Sequence, residues 1–415
     1  MILSDPASAS GNSARREPLM GLAALMRLAF SGADLTPVGQ RLLARAEADT
    51  GDAEALLDLS ITLQLKGDRD TALAVQAQAL AVQQLYRLPA LDDRPRIRLL
   101  AIMGAGDLMS NTPLEFLVEN SDVELQLLYV GPDLPLPDPL PEHDIAFVAA
   151  AESDQNHVLL AHIETLVKSW PRPVLNNAMA VAQLSRDGAC RLLGSVPGLV
   201  MPNSVRVPRD TLEQIADGQL SAAEVLGDGD FPVIARPVGS HAGRGLHRLD
   251  DPAAVREYLQ TVPEDKFFLA RFVDYRGADG LYRKARIALI DGKPFAAHLA
   301  VSQNWMVHYL NAGMTDSADK RAAEARFMAE FDTTFARRHA DALRQITERV
   351  GLDYFGIDCA ETGDGQLLIF EIDSALVVHA MDPVDMYPYK PPQMHRIFDA
   401  FRRLLRDGID GRLER

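Results

Sequence analysis

The segment Tyr354–Ser374, YFGIDCAETGDGQLLIFEIDS, constrains this chain most, because it reads as one β-hairpin with carboxylates gathered on a single face. Asp364-Gly365 predicts a two-residue type I′ turn, whose positive φ angles this pair tolerates. About that turn Asp358 falls opposite Glu371, and Asp373, two residues on, shares the face of Glu371. Cross-strand partners stand roughly 4.5–5.5 Å apart at Cβ, so like charges there repel. A cation would offset the repulsion, and oxygen-only ligands around a phosphate point to Mg²⁺ rather than zinc. The alternative is a solvated sheet face.

At 415 residues the chain has room for two or three domains. Its 47% apolar and 24% charged residues are those of an ordinary soluble globular protein. The net charge of −16 argues against a nucleic-acid or anionic-membrane partner, which needs a basic surface. Cys190 and Cys359 are too few for a disulfide framework and lack zinc-ligand spacing, which fits a reduced, cytoplasmic setting. Residues 1–18 are small and polar, an expected disordered stretch. The apolar run Leu19–Phe30 is interrupted by Arg27 and too short to cross a bilayer. No clear small-residue cleavage site follows it, so a buried helix is expected.

Three regions follow. Residues 19–93 carry helical periodicity, and the stretch from Asp52 to Gln83 resembles one tetratricopeptide-type helix pair with Gly67-Asp68 at its turn. Such repeats need about three copies to be stable. The segment is therefore either a helical cap or a docking site for a protein or peptide partner. Residues 94–200 alternate buried strands (RLLAIM, VELQLLYV, DIAFVAA, PVLN) with helices near 113–120, 156–169 and 178–193, an α/β layer with a mostly parallel sheet. The loop GAGDLMSNTP lacks dinucleotide-binding spacing and is expected to be a tight turn or a wall of the substrate cleft. Residues 201–415 are α+β. Strands FPVIARP, FFLARFVD, YRKARIALI and KPFAAHLAV alternate with helices, one of them a long charged helix over 320–349 that breaks near Asp332-Thr333-Thr334. A terminal helix is expected over 394–406, preceded by a proline-shaped loop, Asp382–Pro392.

The second constellation is FPVIARPVGSHAGRGLHRL. A strand ends at Arg236-Pro237 and a loop with Gly239, Gly243 and Gly245 follows. Glycines let backbone N–H groups approach a phosphate, while Ser240 and His241 add donors and Arg236 a fixed positive charge. A glycine loop alone is a weak signal. About 120 residues before the acidic hairpin it gains weight, since one element would hold phosphates and the other the bridging metal.

On these two elements the chain resembles the ATP-grasp superfamily over roughly residues 95–405. FPVIARPVGSHAGRG is similar to that family's strand and flexible glycine loop, and Asp358, Glu371 and Asp373 are spaced like its metal ligands. D-alanine–D-alanine ligases and the ribosomal-protein glutamate ligases are most similar in pattern. The fold implied is an N-terminal helical segment, an α/β pre-grasp domain and a C-terminal ATP-grasp domain, with ATP and two Mg²⁺ as cofactors. The resemblance implies that Asp358, Glu371 and Asp373 bind the metal. It implies Arg236 and Arg186 on the phosphates, with the 240–245 loop closing over them. Arg271, Phe272 and Val273 would face adenine, and Asp274 the ribose.

The departures from the family are informative. Both phosphate lysines are arginine here, which matches phosphate geometry bidentately. Asp373 replaces asparagine, and Ala270 stands where glutamate is frequent. Gly356 stands where D-alanine ligases carry an arginine. Lys284 and Arg286, two apart and so on one face of their strand, offer replacement cations, unless they are ordinary surface charges. Trp305, His308 and Tyr309 are a lid or acceptor pocket, or else a packed aromatic cluster. His379 is more in keeping with a structural role.

The implied activity is amide formation between a carboxylate and an amine through an acyl phosphate, on small-molecule or peptide substrates, by an enzyme of a kind often dimeric. The alternatives are a phosphotransferase on the same fold and a nucleotide sensor docking partners through its helical arm.

Overall fold

A computed structural model describes residues 17–92, 94–240 and 243–413. The chain divides into two compact units, residues 1–88 and 89–415. The stretch expected to be disordered lies almost wholly outside the described residues, as does His241.

The first unit holds four helices, Gly21–Phe30, Thr36–Ala48, Ala53–Leu65 and Arg69–Val82, and a short strand, Leu85–Leu88. Asp52 and Asp68 cap the third and fourth helices by accepting from Ala55 N and Thr71 N, which supplies acceptors to otherwise unpaired first-turn donors. The turn expected at Gly67-Asp68 separates those two helices. Asp58 lies fully buried in the third and accepts from Met20 N and Gly21 N at 2.8 and 2.9 Å.

In the second unit the apolar runs become parallel strands. Val123–Tyr129, Ile97–Met103, Ile145–Val148 and Val174–Leu175 lie side by side in that order. Leu99, Leu100, Ile102, Ile145 and Phe147 are all fully buried, as expected for a sheet covered on both faces. The helical stretch expected over 178–193 is two helices, Ala178–Val181 and Arg186–Leu193. Ser185 interrupts it by accepting from Gly188 N at 3.2 Å and capping the second.

A second, antiparallel sheet orders Ser204–Pro208, Lys266–Arg271, Val233–Pro237 and His247–Leu249. Helices Arg209–Ala216 and Pro252–Thr261 cover it through Leu212, Ile215, Val255 and Tyr258. The third sheet orders Lys293–Ser302, Tyr282–Ile290, Tyr354–Glu361, Leu367–Asp373 and Leu199–Val200. Its last pair is parallel and the other pairs antiparallel. The long charged helix breaks between Glu330 and Phe335, as expected. The terminal helix is longer than expected, Lys390–Ile409, because Pro391 falls in its first turn, where a missing N–H costs nothing.

The acidic hairpin departs from the expected turn. Gly365 N donates to Thr362 O at 2.9 Å and Thr362 N to Gln366 O at 3.0 Å, which leaves a three-residue loop, Gly363–Gly365. Only Gly365 takes positive φ there, at 82°, as a type I turn followed by one left-handed residue requires. That loop shifts the register by one, so Cys359 pairs with Ile369. A bulge between Asp358 and Cys359 then restores the expected pairing of Asp358 with Glu371.

Candidate functional site

The hairpin carboxylates belong to a transverse row across four adjacent strands. His298 stands opposite Arg286, Arg286 opposite Asp358, and Asp358 opposite Glu371. Directly opposed residues share a face, so the row is a single polar stripe on the sheet. Asp373 and Lys284 stand two residues along from Glu371 and Arg286, on the same face.

The stripe is closed by ion pairs. Arg286 donates from Nε and Nη2 to the two Asp358 oxygens at 2.8 and 3.1 Å, and Lys284 Nζ lies 2.7 Å from Oδ2. Burial would raise the Asp358 carboxyl, but Arg286 and Lys284 together hold it well below the ordinary range. Arg186 donates from Nη2 to Glu371 at 2.9 Å and from Nη1 to Phe370 O at 3.1 Å. Burial opposes ionisation of Glu371 as well, and Arg186 together with Arg236 and Lys284 more than offsets it. Asp373 has no such cation. Burial first, then the charge of Glu371, push it up to about 6, and it accepts a hydrogen bond from Ala375 N at 2.7 Å.

Two cavities meet at the Glu371 end of this stripe and share Arg186, Arg236, Phe268, Phe370 and Glu371 in their walls, while Asp358 and Arg286 line neither. The first encloses about 1010 Å³, open solvent included. Its walls are mainly apolar, among them Ile234, Leu246 and Trp305, and Lys284 faces it at one end. Arg271, Phe272 and Val273 line it. Asp274 lies outside the lining and pairs with Arg276 at 3.3 Å. The second encloses about 900 Å³ and is lined by Ser240, Asp373 and Ser374, and from the parallel-sheet side by Met109 and residues 151–154.

The other expected residues fall as follows. Arg236 is buried at its strand end and donates to the Ser240 hydroxyl at 3.2 Å and to the Ser240 carbonyl. Burial, with Arg186 nearby, brings its guanidinium down to about 10. Gly243 and Gly245 follow in the glycine loop and line neither cavity. His308 also lines neither. Burial and the nearby Lys284 and Arg286 lower its pKa, which favours the neutral ring. Tyr309 packs on His298 with ring centroids 4.6 Å apart, and Lys390 stands over its ring at 4.3 Å. Only Trp305 of the expected lid reaches a cavity. His379 packs near Phe116, centroids 6.4 Å apart. Gly356 leaves no room for the arginine of the D-alanine ligases, since a Cβ there would meet Leu376 Cδ2 at 2.3 Å.

A divalent ion needs several oxygen donors that converge on it. Glu371 and Asp373 fit one: both are oxygen donors, they share a face, and the raised carboxyl of Asp373 marks a like-charge repulsion that a cation relieves. Asp358 joins them only by sharing its oxygens with Lys284 and Arg286. Among the described residues, the carboxylate and histidine donors that approach within 4.8 Å of one another as a set of three are those of Glu152, Asp154 and His157. In the sequence these residues carry no assigned role, Glu152 and Asp154 lying just past a buried strand and His157 opening a helix. The available signal was an acid just past the carboxyl end of a buried parallel strand, where open α/β sheets bind ligands.

No protein-family model matches the chain, and comparison with curated proteins finds no match. Solved structures similar to it include the VanG D-Ala:D-Ser ligase from Enterococcus faecalis (14% identity, 74% of this chain and 99% of that one, TM-score 0.44). The D-alanine-D-alanine ligase from Coxiella burnetii is similar over 76% of this chain and 96% of its own, at 11% identity and TM-score 0.45. A RimK domain ATP-grasp protein from Sphaerobacter thermophilus shares 16% identity over 73% and 99%, at TM-score 0.39. With every TM-score below 0.5, the functional assignment is left to the geometry of the site.

Proposed function

We propose that this protein is an ATP-dependent carboxylate–amine ligase of ATP-grasp type. The observation that carries it is the placement of Glu371, at one end of the stripe, and its ion-pair partner Arg186 in the wall common to two cavities, so that a group activated in one is presented to the other. The apolar first cavity takes the nucleotide, with adenine against the backbone of Arg271, Phe272 and Val273. Its phosphates run toward Arg186, Arg236 and Lys284, whose fixed charges stabilise the phosphoryl group as it moves. Glu371 and Asp373 hold Mg²⁺, with Asp358 as a third ligand. Bound there, the ion neutralises charge on the phosphate oxygens.

Arg286 keeps Asp358 ionised and oriented, and Lys284 is the cation within reach of both Asp358 and the nucleotide cavity. Ser240 and the following glycine loop exclude water from the transferred phosphoryl group. Nearly all the catalysis is then positioning and charge neutralisation.

The test is ADP release on addition of ATP, Mg²⁺ and a metabolite extract, with mass spectrometry of the products. Release that needs both a carboxylate and an amine, with a new amide formed, supports the ligase. A stable phosphorylated product shows a phosphotransferase instead. ATP binding without turnover shows a sensor.

A further inference from the structure

Two polar atoms in the walls of the second cavity are buried without a hydrogen-bond partner, Glu152 Oε1 and Ser374 Oγ. Ser374 is only 3% exposed, so its hydroxyl cannot turn to bulk water. A buried polar group left unpaired keeps its full desolvation penalty, so such an atom on a residue lining a cavity marks a place where a ligand group is expected.

The two atoms sit on segments tied to each other. Glu152 follows the strand Ile145–Val148, in a loop held by Ala151 N donating to Ser110 O at 2.9 Å and Asn156 Nδ2 donating to Ala151 O at 2.9 Å. Thr112, in the neighbouring loop, donates from Oγ1 to Ser374 O at 2.7 Å. The cavity is therefore braced from both sides.

Neighbouring acids are already neutralised. Arg206 donates from Nη1 to both Asp154 oxygens, at 2.7 and 2.8 Å, and from Nε to Asp187 at 2.9 Å. Among the described acids of the 151–154 loop, Glu152 is the one without an ion pair, and Asp373 across the cavity is likewise unpaired. Burial pushes Glu152 up to about 7 against the pull of Arg206, with Asp154 and Asp187 adding to the rise. A carboxylate oxygen only accepts and a hydroxyl accepts as well as donates, so one occupant satisfies both by donating N–H to each. A phosphate or carboxylate placed there would meet Glu152 head-on.

We propose that the second cavity is the acceptor subsite and that it takes a primary ammonium group between Glu152 Oε1 and Ser374 Oγ, so that the amine substrate is cationic. The assignment of the amine as a substrate rests on the ligase function above; the ammonium site itself does not.

The binding test uses crystals of the full chain soaked in ethylammonium chloride, with tetraethylammonium chloride as the control that has no N–H. Ethylammonium nitrogen within hydrogen-bond distance of both atoms, and no tetraethylammonium there, supports the site. An empty site in ethylammonium, or a divalent cation from the mother liquor seated on Glu152, overturns it. If the wild type releases no ADP with any amine, the ligase function fails and the soak still decides the site.

The kinetic test measures ADP release with an amino-acid mixture or with hydroxylamine, a neutral acceptor, as the nucleophile. Glu152→Gln should raise the KM for the amino acids about 10- to 100-fold, the worth of one charge-assisted hydrogen bond. Its KM for ATP should match the wild type, and its loss with hydroxylamine, which carries no positive charge, should be smaller than with the amino acids. Ser374→Ala should move in the same direction by less. An unchanged amine KM in Glu152→Gln, or an equal loss with hydroxylamine, overturns the proposal.

Discussion

Arg286 faces Asp358 across adjoining antiparallel strands and grips both of its oxygens, at 2.8 and 3.1 Å. Lys284 adds a second cation to the same carboxylate at 2.7 Å. This acid is thus part of a buried ion triplet, and it cannot be removed as an isolated ligand could. Asp358→Ala leaves two cations facing each other with no counter-charge, and breaking a buried pair from one side costs about 3–5 kcal/mol. We expect a lower urea midpoint along with lost ATP turnover. A midpoint equal to the wild type would mean that the triplet does not hold in solution.

Glu371 separates the catalytic question from stability. Its side chain is 37% exposed and its partner Arg186 faces both cavities, so the ion pair is worth about 1 kcal/mol or less to the fold. Glu371→Gln keeps the shape and removes the charge. ATP-dependent turnover should vanish while the urea midpoint stays near that of the wild type, and retained turnover would remove Glu371 from the metal site.

Gly356 is fixed by packing. A Cβ at this position would lie 2.3 Å from Leu376 Cδ2 and 2.6 Å from Cδ1, in a fully covered part of the sheet. Overpacking of this kind costs about 1–3 kcal/mol. Gly356→Ala should lower the melting temperature, and the double variant with Leu376→Ala should lose less than the two single changes summed. Strict additivity would show that the contact is not the cause.

Much of this site was legible because its residues are short-range. Asp358, Glu371 and Asp373 lie on one hairpin, where alternation alone puts them on a common face, and the Lys284–Arg286 spacing does the same one strand over. The turn was misread and the pairing still came out right, because the bulge after Asp358 cancels the extra loop residue. Bulges leave little trace in sequence. The acceptor side was not legible. Glu152 and Ser374 are more than 200 residues apart in sequence, and long-range contacts such as the Thr112–Ser374 hydrogen bond bring their segments together. Nor could alternation show that Arg286 and Lys284 would spend their charge on Asp358, since cross-strand partners depend on which strands become neighbours.

The first unit offers a pH test independent of ligands. Asp58 is fully buried and its carboxyl is pushed up to about 6 by burial, against hydrogen bonds from Met20 N and Gly21 N and the charge of Arg45. Unfolded, the same group titrates near 3.8. Between these values the folded state binds the extra proton, so this group's contribution to stability is complete below about pH 4 and is lost as pH rises through about 6. At about 1.4 kcal/mol per pKa unit, the gap amounts to roughly 3 kcal/mol. Asp58→Asn has no proton to bind and should lack this dependence. Hydrogen exchange at the Met20 and Gly21 amides, measured in the full chain from pH 4 to 7 and corrected for intrinsic rates, isolates the effect from the other carboxylates. Protection in the wild type should fall with rising pH relative to Asp58→Asn, and parallel profiles for the two proteins would show that Asp58 titrates normally in the fold.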